Sequence, residues 1–282
     1  MPELPEVETI ARGVNARVRG DRIREAWFGS HREPFKTPAR AQARGLEGRT
    51  ILSVHRTGKH IVCELGSGPA DKASRKGSSP DAQWIVHLGM TGRLLVTVPE
   101  APVAAHTHAR IQLESGRELR FVDSRRFGRL EFRELRTAQA FGGPGKEPLT
   151  IAEAEFAALF RARKLAIKAA LLNQGLLAGV GNIYADESLF KAGIRPRRRA
   201  GRLTRHELER LRTALKQVLE HAIRLGGSSV SDYVDADGAK GFFQLEHMVY
   251  QRSGEPCRVC ATAIRRVVVA GRSTHYCPKC QK

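Results

Sequence analysis

Phe141-Gly-Gly-Pro-Gly-Lys-Glu-Pro148 divides the chain into two parts of opposite pattern. Five of its eight residues are Gly or Pro, a composition that interrupts helix and strand alike and reads as a linker. Upstream, apolar residues come in short runs: Thr50–Val54, His60–Leu65, Trp84–Leu88, Leu94–Val98, Ala109–Leu113, Leu119–Val122 and Arg129–Phe132. Glycine-containing turns separate most of them, which predicts an antiparallel sandwich or barrel rather than a doubly wound sheet. One helix precedes the runs, because Val7, Ile10, Ala11, Val14 and Val18 recur at helical spacing and Pro5 suits a first turn. Downstream the pattern turns helical. Thr150 is placed to cap a helix through Glu153–Arg163, followed by Ile167–Asn173, Asn182–Ala192 and a long amphipathic Thr204–Leu225. Gly226–Gly241 reads as a flexible loop, and a small cysteine module ends the chain. The fold class is α+β in two domains. The expected boundaries are 1–136 for the β-domain, 137–149 for the linker, 150–226 for the helical domain, 227–247 for the loop and 248–282 for the cysteine module.

With 282 residues, 41% of them hydrophobic, the chain can bury real cores in about two domains. Its 48 Lys and Arg against 29 Asp and Glu leave a net charge of +19. Such an excess attracts a polyanion. Nucleic acid is the leading partner and an acidic membrane the rival, but no stretch approaches the ~20 apolar residues of a bilayer span. The amino terminus, Met1-Pro-Glu-Leu-Pro-Glu-Val-Glu8, has neither the cationic start nor the apolar stretch of a secretory signal. A reducing cytoplasm is the expected compartment, where cysteines bind metal or stay free.

Cys257-x2-Cys260 and Cys277-x2-Cys280 stand sixteen residues apart, within the range of a four-thiolate zinc site. Between them, Ile264–Val269 and Arg272–Tyr276 predict a hairpin turning at Ala270-Gly271. A redox dithiol or an iron site are the alternatives; two pairs framing a hairpin favour one structural zinc. Arg258, Arg265, Arg266, Arg272, Lys279 and Lys282 make this module cationic, as a phosphate-facing finger requires. Lone Cys63, in an apolar strand, reads as a small core residue.

Pro2 follows an initiator methionine of the kind commonly removed. Removal exposes a secondary amine beside the carboxylate of Glu3. An α-amine has a pKa of about 7.7–8.0 against about 10.4 for lysine, so far more of it is a neutral nucleophile at neutral pH. Added to a sugar carbon, a secondary amine yields an iminium with no N–H proton to lose, and Glu3 is placed to move protons. An inert terminus remains the simpler reading of these two residues alone.

Met1-Pro-Glu-Leu-Pro-Glu-Val-Glu-Thr9, Thr57-Gly-Lys-His60, His87-Leu-Gly-Met-Thr-Gly92, Asp123-Ser-Arg-Arg-Phe-Gly128, Gly179-Val-Gly-Asn-Ile-Tyr184 and the cysteine module occur in that order. As an ordered set spanning nearly the whole chain, they resemble the bacterial formamidopyrimidine-DNA glycosylases, which remove oxidised purines and nick the strand. The resemblance implies Pro2 as Schiff-base nucleophile, Glu3 as general acid, Lys59 as proton donor in β-elimination and Arg272 as the arginine of δ-elimination and phosphate binding. Without it, Lys59 would be a solvated turn lysine and Arg272 one surface arginine among many. It also implies that Met90, Arg125 and Phe127 fill the gap left by an everted nucleotide, since an apolar wedge and a guanidinium replace lost stacking and hydrogen bonds. Further DNA contacts are implied at His87, His106, Arg163, Lys168 and Asn182.

From the residues alone, Gly179-Val-Gly-Asn182 entering a helix offers backbone N–H groups to a phosphate, or is a simple turn with Asn182 as N-cap. Arg195-Pro-Arg-Arg-Arg199, Arg202 and Arg205 form a solvated or backbone-contacting run with no catalytic role. The resemblance makes Gly226–Tyr233 the start of a loop that caps the everted purine. The Gly/Ser/Lys-rich Gly66–Ala82 segment, longer than the hairpin connection expected of the family, reads as a mobile surface loop. The expected molecule is a cytoplasmic, nucleoid-associated monomer with a β-sandwich, a helix–two-turn–helix domain and a zinc hairpin, holding double-stranded DNA in the basic cleft between its domains. Two alternatives stay open: an endonuclease VIII-like enzyme for oxidised pyrimidines, disfavoured by Leu4 where that branch commonly carries Gly, and a non-catalytic zinc DNA-binding protein.

Overall fold

Two four-stranded antiparallel sheets sharing one core form the first half of the chain. A computed structural model describes residues 1–31, 34–67, 79–229, 235–236, 238–239 and 241–282. Helix α1 (Leu4–Val18) is followed by β1 (Ile23–Phe28), α2 (Ala39–Leu46), β2 (Arg49–Thr57), β3 (His60–Ser67), β4 (Ala82–His87), β5 (Arg93–Thr97), β6 (Thr107–Leu113), β7 (Glu118–Val122) and β8 (Arg129–Glu134). The sheets run β1-β6-β7-β5 and β2-β3-β4-β8. Both contribute to a single apolar cluster in which Ile51, Ile61, Trp84 and Val86 of one meet Ile111, Leu119 and Phe121 of the other, with Val7, Ile10 and Val14 of α1. This is the expected sandwich. The β2–β3 hairpin closes at Gly58, whose φ of 60° is the left-handed backbone that such two-residue turns require.

Two elements carry no clear pattern in the sequence. β1 buries Ile23 and Ala26 but exposes the two residues between them, so strict alternation is missing. α2 is rich in Arg, Gln and Ala and buries only Gln42 and Leu46. Gln42 is there for a polar reason: its side-chain oxygen accepts the Trp84 indole N–H at 3.1 Å. The expected loop at 66–82 falls largely on residues 68–78, which lie outside the described residues.

The second half is helical: α3 (Glu153–Phe160), α4 (Ile167–Leu172), α5 (Asn182–Lys191) and α6 (Arg205–Arg224). Phe156, Phe160, Ile167, Leu171, Tyr184, Leu189, Leu211, Leu215 and Leu219 form its core. Thr204 caps α6 in a full capping box with Glu207, and the adjacent Arg198 guanidinium holds the Glu207 carboxyl down at about 2. Thr150 does not cap α3. Ala152 takes that place, and the helix ends at Phe160 rather than Arg163 because Arg161 turns extended and Ala162 takes a φ of 57°. The chain ends in the hairpin of β9 (Arg265–Val269) and β10 (Arg272–Tyr276), turning at Ala270 and Gly271 with φ of 49° and 71°.

The division into compact units is not linear. The first comprises Met1–Pro2, Glu6–Gly142 and Ser228–Gly241; the second comprises Glu3–Pro5, Gly143–Gly227 and Phe242–Lys282. Leu4 belongs to the helical core although it opens the first helix. Ser228–Gly241 returns to the sandwich unit, where the Ala236 carbonyl accepts the Val96 N–H at 3.1 Å and Ala236 is buried in the sandwich core. No helix among the described residues is long and apolar enough to cross a membrane.

Candidate active site

Glu3 is only 4% exposed, and its carboxylate sits on the amino end of α5. One oxygen accepts the Ile183 N–H at 3.2 Å and the other the Tyr184 N–H at 3.5 Å. Unpaired N–H groups and the positive end of the dipole make such a terminus a natural seat for an anion. Here the anion is the chain's own. The glycines of Gly179-Val-Gly181 make the room: a side chain on Gly181 would overlap the Glu3 carboxyl, and one on Gly179 would press on Leu4. Leu4 is tied down further by its N–H, donated to the Gly179 carbonyl at 3.0 Å. The expectation that this turn cradles a phosphate is corrected, since Glu3 takes the N–H groups of Ile183 and Tyr184. Asn182 is not the N-cap either. Gly181 is, and the Asn182 amide donates to the Ser273 carbonyl at 2.9 Å.

The implied DNA contact at Lys168 is also corrected. Its side chain is fully buried, with the ammonium 2.6 Å from Asp186 Oδ1 and donating to the Ser273 carbonyl and Thr274 Oγ1 at 2.9 and 2.8 Å. No donor is left for a phosphate. Burial pulls this ammonium below the ordinary lysine range, with Asp186 opposing the shift; Glu3 and Arg272 are among the charges it feels. Glu3, Lys168, Asp186 and Arg272 are thus electrostatic neighbours within the second unit. Arg272 opens β10 and is exposed.

The first unit holds Pro2, Lys59, His87, Met90, His106, Arg125 and Phe127. Pro2 is buried, while Met1 ahead of it is 47% exposed. Lys59, in the β2–β3 turn, is only 7% exposed, which removes the solvated-turn alternative. Its charge reaches His87, which burial holds at about 4. His87 Nδ1 accepts the Gly89 N–H at 3.2 Å, so the neutral ring carries its proton on Nε2.

Met90 and Phe127 are large apolar side chains left 41% and 47% exposed, and the Arg125 guanidinium lies over the Phe127 ring at 4.7 Å. Their loops are held by Asp123, which is fully buried. It accepts from Thr91 Oγ1 at 2.5 Å, Arg125 N at 3.3 Å and Gly128 N at 2.8 Å. Its own N–H goes to the carbonyl of exposed His106, at 3.0 Å. Arg163, after α3, is exposed as well and joins the basic run, its carbonyl accepting the Gly201 N–H at 2.9 Å.

Sequence reading missed the residues that hold these side chains: Asp123, Asp186, Glu187 and Glu6. Glu187 accepts the N–H groups of Met248, Val249 and Tyr250 at 2.8–3.0 Å, fixing the approach to the finger. Glu6 accepts Ser228 N at 2.7 Å, where the loop returns to the first unit. An acid inside an otherwise apolar helical stretch was the available signal, most plainly Asp186-Glu187 between Ala185 and Leu189. Of the expected purine-capping stretch, residues 230–234, Tyr233 included, lie outside the described residues.

All four sulfurs of Cys257, Cys260, Cys277 and Cys280 lie within 4.8 Å of one another. Two of the separations are 3.5 and 3.9 Å, against about 3.8 Å for the edge of a tetrahedron with zinc–sulfur bonds of about 2.3 Å. The Cys280 N–H points at Cys277 Sγ from 3.4 Å, as at a thiolate. The donor set fits one structural zinc.

A cationic four-cysteine finger on a helical unit, together with a sandwich that presents exposed Met90, Arg125 and Phe127, defines a nucleic-acid-handling protein whose residues 2–7 are buried. Comparison with known proteins carries this further. The family models of the formamidopyrimidine-DNA glycosylase N-terminal domain, its H2TH domain and the zinc finger found in FPG and IleRS match residues 1–130, 144–234 and 254–282. The formamidopyrimidine-DNA glycosylase of Solibacter usitatus is 46% identical with both chains fully covered. A Lactococcus lactis Fpg variant in complex with Fapy-dG containing DNA superposes with a TM-score of 0.88 at 33% identity, covering all of both chains. A complex of the Lactococcus lactis Fpg with abasic-site DNA gives 0.86 over 99% of each chain, also at 33% identity. The chain belongs to the formamidopyrimidine-DNA glycosylase family.

Proposed function

We propose that this DNA glycosylase of base excision repair removes oxidised purines, 8-oxoguanine and formamidopyrimidines, from double-stranded DNA and then cleaves the strand as an AP lyase. The observation that carries the reading is the seat of Glu3: two backbone donors, and the absence of a side chain at Gly181, immobilise an acid next to residue 2. A buried carboxylate fixed this tightly serves proton transfer, because a positioned acid gains from geometry before it gains from pKa.

Once the exposed Met1 is removed, the Pro2 nitrogen attacks the deoxyribose carbon bearing the damaged base. The base leaves with the glycosidic electron pair, and Glu3 takes the proton shed by the Pro2 nitrogen and passes it to the sugar oxygen as the ring opens to the iminium. Loss of a proton from the adjacent carbon expels the 3′ phosphate, with Lys59 as proton donor; a second elimination assisted by Arg272 expels the 5′ phosphate. Met90, Arg125 and Phe127 fill the space of the everted nucleotide, while His87, His106, Arg163 and Asn182 grip the backbone. Zinc is structural and lies outside these steps. The enzyme works as a monomer on cytoplasmic, nucleoid DNA. What supports the purine preference is Leu4, packed into the helical core, and the Fapy-dG carried by the Lactococcus lactis neighbour.

Borohydride reduction during incubation with 8-oxoguanine duplex tests the nucleophile. Protein whose intact mass lacks Met1 should become covalently linked through residue 2, and Pro2→Gly or an amino-terminal tag should abolish the link. Equal trapping and cutting by a chain that keeps Met1 overturns the assignment. Faster excision of thymine glycol than of 8-oxoguanine moves the enzyme to oxidised pyrimidines, and no nicking of either leaves only a DNA-binding protein.

A further inference from the structure

We propose that Asp186 is a positioning residue for Arg272, fixing the tip of the zinc hairpin against the second unit's helices so that the guanidinium meets its phosphate. The inference rests on the role given to Arg272 above. Asp186 lies in the first half of α5 with no exposed surface. Its Oδ2 accepts the His275 N–H at 2.8 Å and lies 3.3 Å from His275 Nδ1, while its Oδ1 lies 2.6 Å from the Lys168 ammonium. Lys168 in turn donates to the Ser273 carbonyl and Thr274 Oγ1, and Asn182 donates to the same Ser273 carbonyl. Every one of the three residues after Arg272 is therefore held from the helical side by this one cluster.

The geometry of the hairpin makes such a clamp necessary. Zinc ties the hairpin at Cys257, Cys260, Cys277 and Cys280, whereas Arg272 stands at the other end of β10, paired with Val269. A strand advances about 3.3 Å per residue, which places the tip roughly 17 Å from the metal. A two-stranded hairpin alone is marginal in water, so it does not hold its own tip still over that distance. Asp186 also neutralises Lys168. Without it a buried ammonium, which already feels the charge of Arg272, would be left without its carboxylate partner.

Duplex DNA with a preformed abasic site separates the two eliminations, because their products differ in mobility. Asp186→Asn should keep its zinc and its borohydride-trapped adduct, yet lower the ratio of δ- to β-product by roughly tenfold or more, as misplacement of a catalytic group does. Arg272→Ala should lower the ratio as far, and the double variant should be no worse than Arg272→Ala alone, since a positioning residue has nothing left to position. An unchanged ratio in Asp186→Asn, or a double variant that multiplies the two losses, overturns the positioning role. An unchanged ratio in Arg272→Ala overturns the reading of Arg272 and the proposal with it. Should Asp186→Asn lose zinc, the pair Lys168→Gln/Asp186→Asn, which leaves no lone buried charge, decides by the same comparison.

Discussion

The backbone of Gly181 runs so close to the carboxyl of Glu3 that a β-carbon there would occupy the same space. Gly181→Ala therefore displaces the acid from the amino end of α5 without touching any group that contacts DNA. Excision of 8-oxoguanine should fall by about 100-fold, the loss expected for a shift of ~1 Å in a reacting group. Salt-dependent binding of undamaged duplex should stay as in the parent. Equal losses of both would mean that the substitution unfolds the helical unit.

Asp123 should matter as much as the side chains it presents. Asp123→Ala strips the partners from Thr91, Arg125 N and Gly128 N and should cost about 1–3 kcal/mol per buried group left unsatisfied. Met90→Ala and Phe127→Ala alter exposed side chains and should change stability by no more than about 0.5 kcal/mol. All three should reduce nucleotide eversion, read as the fluorescence rise of 2-aminopurine placed beside the lesion. Normal eversion in Met90→Ala and Phe127→Ala would remove these residues from the wedge.

Zinc removal should unfold the finger alone. Structural zinc contributes on the order of 10–16 kcal/mol in small finger domains, and the finger's own apolar cluster is little more than Phe190, Val249, Ile264 and two of the cysteines. Both tryptophans, Trp27 and Trp84, belong to the first unit. Chelation should thus abolish strand nicking and release one zinc per chain while tryptophan emission stays constant. A coincident red shift would show that the sandwich depends on the metal.

Acid should destabilise the fold through three buried imidazoles. Burial holds His60, His87 and His247 at about 4, below the ordinary 6.5. Between those values the unfolded chain binds more protons than the folded one, so the stabilising contribution is complete above about pH 6.5 and is lost as the pH falls towards 4. Glu207, held at about 2, acts only below this window. Urea midpoints at constant ionic strength should decline from pH 7 to pH 4.5, and His247→Gln should shallow that slope. A flat profile would contradict the burial of these rings as the cause.

The elements legible in the sequence are those with a strong period or strong punctuation. Seven short runs became β2 to β8, Thr204 capped the long helix as expected, and Ala270-Gly271 turned the finger hairpin. β1 and α2 were illegible because they bury few residues and carry charge on the rest. The motifs carried by Pro2, Glu3, Lys59, Arg272 and the four cysteines stand out by residue type and order. What those motifs do locally was misread where the partner is distant in sequence. Gly179 and Gly181 look like a phosphate loop until Glu3 and Leu4 are seen filling it, and Lys168 looks like a phosphate contact until Asp186 and Ser273 consume its protons. Spacing reports neighbours along the chain, whereas Glu3–Ile183 and Lys168–Ser273 close loops of more than a hundred residues and Lys168–Asp186 joins one helix to the next.

Leu4 lies in the helical core and Glu3 on the helix that begins at Asn182. Glu3 and Leu4 therefore cannot take their places early in synthesis, since the seat of Glu3 does not exist until residue 184 has been made. A chain cut short before Tyr184 lacks the backbone donors that hold Glu3, and with them the fixed position that the proposed proton transfer needs.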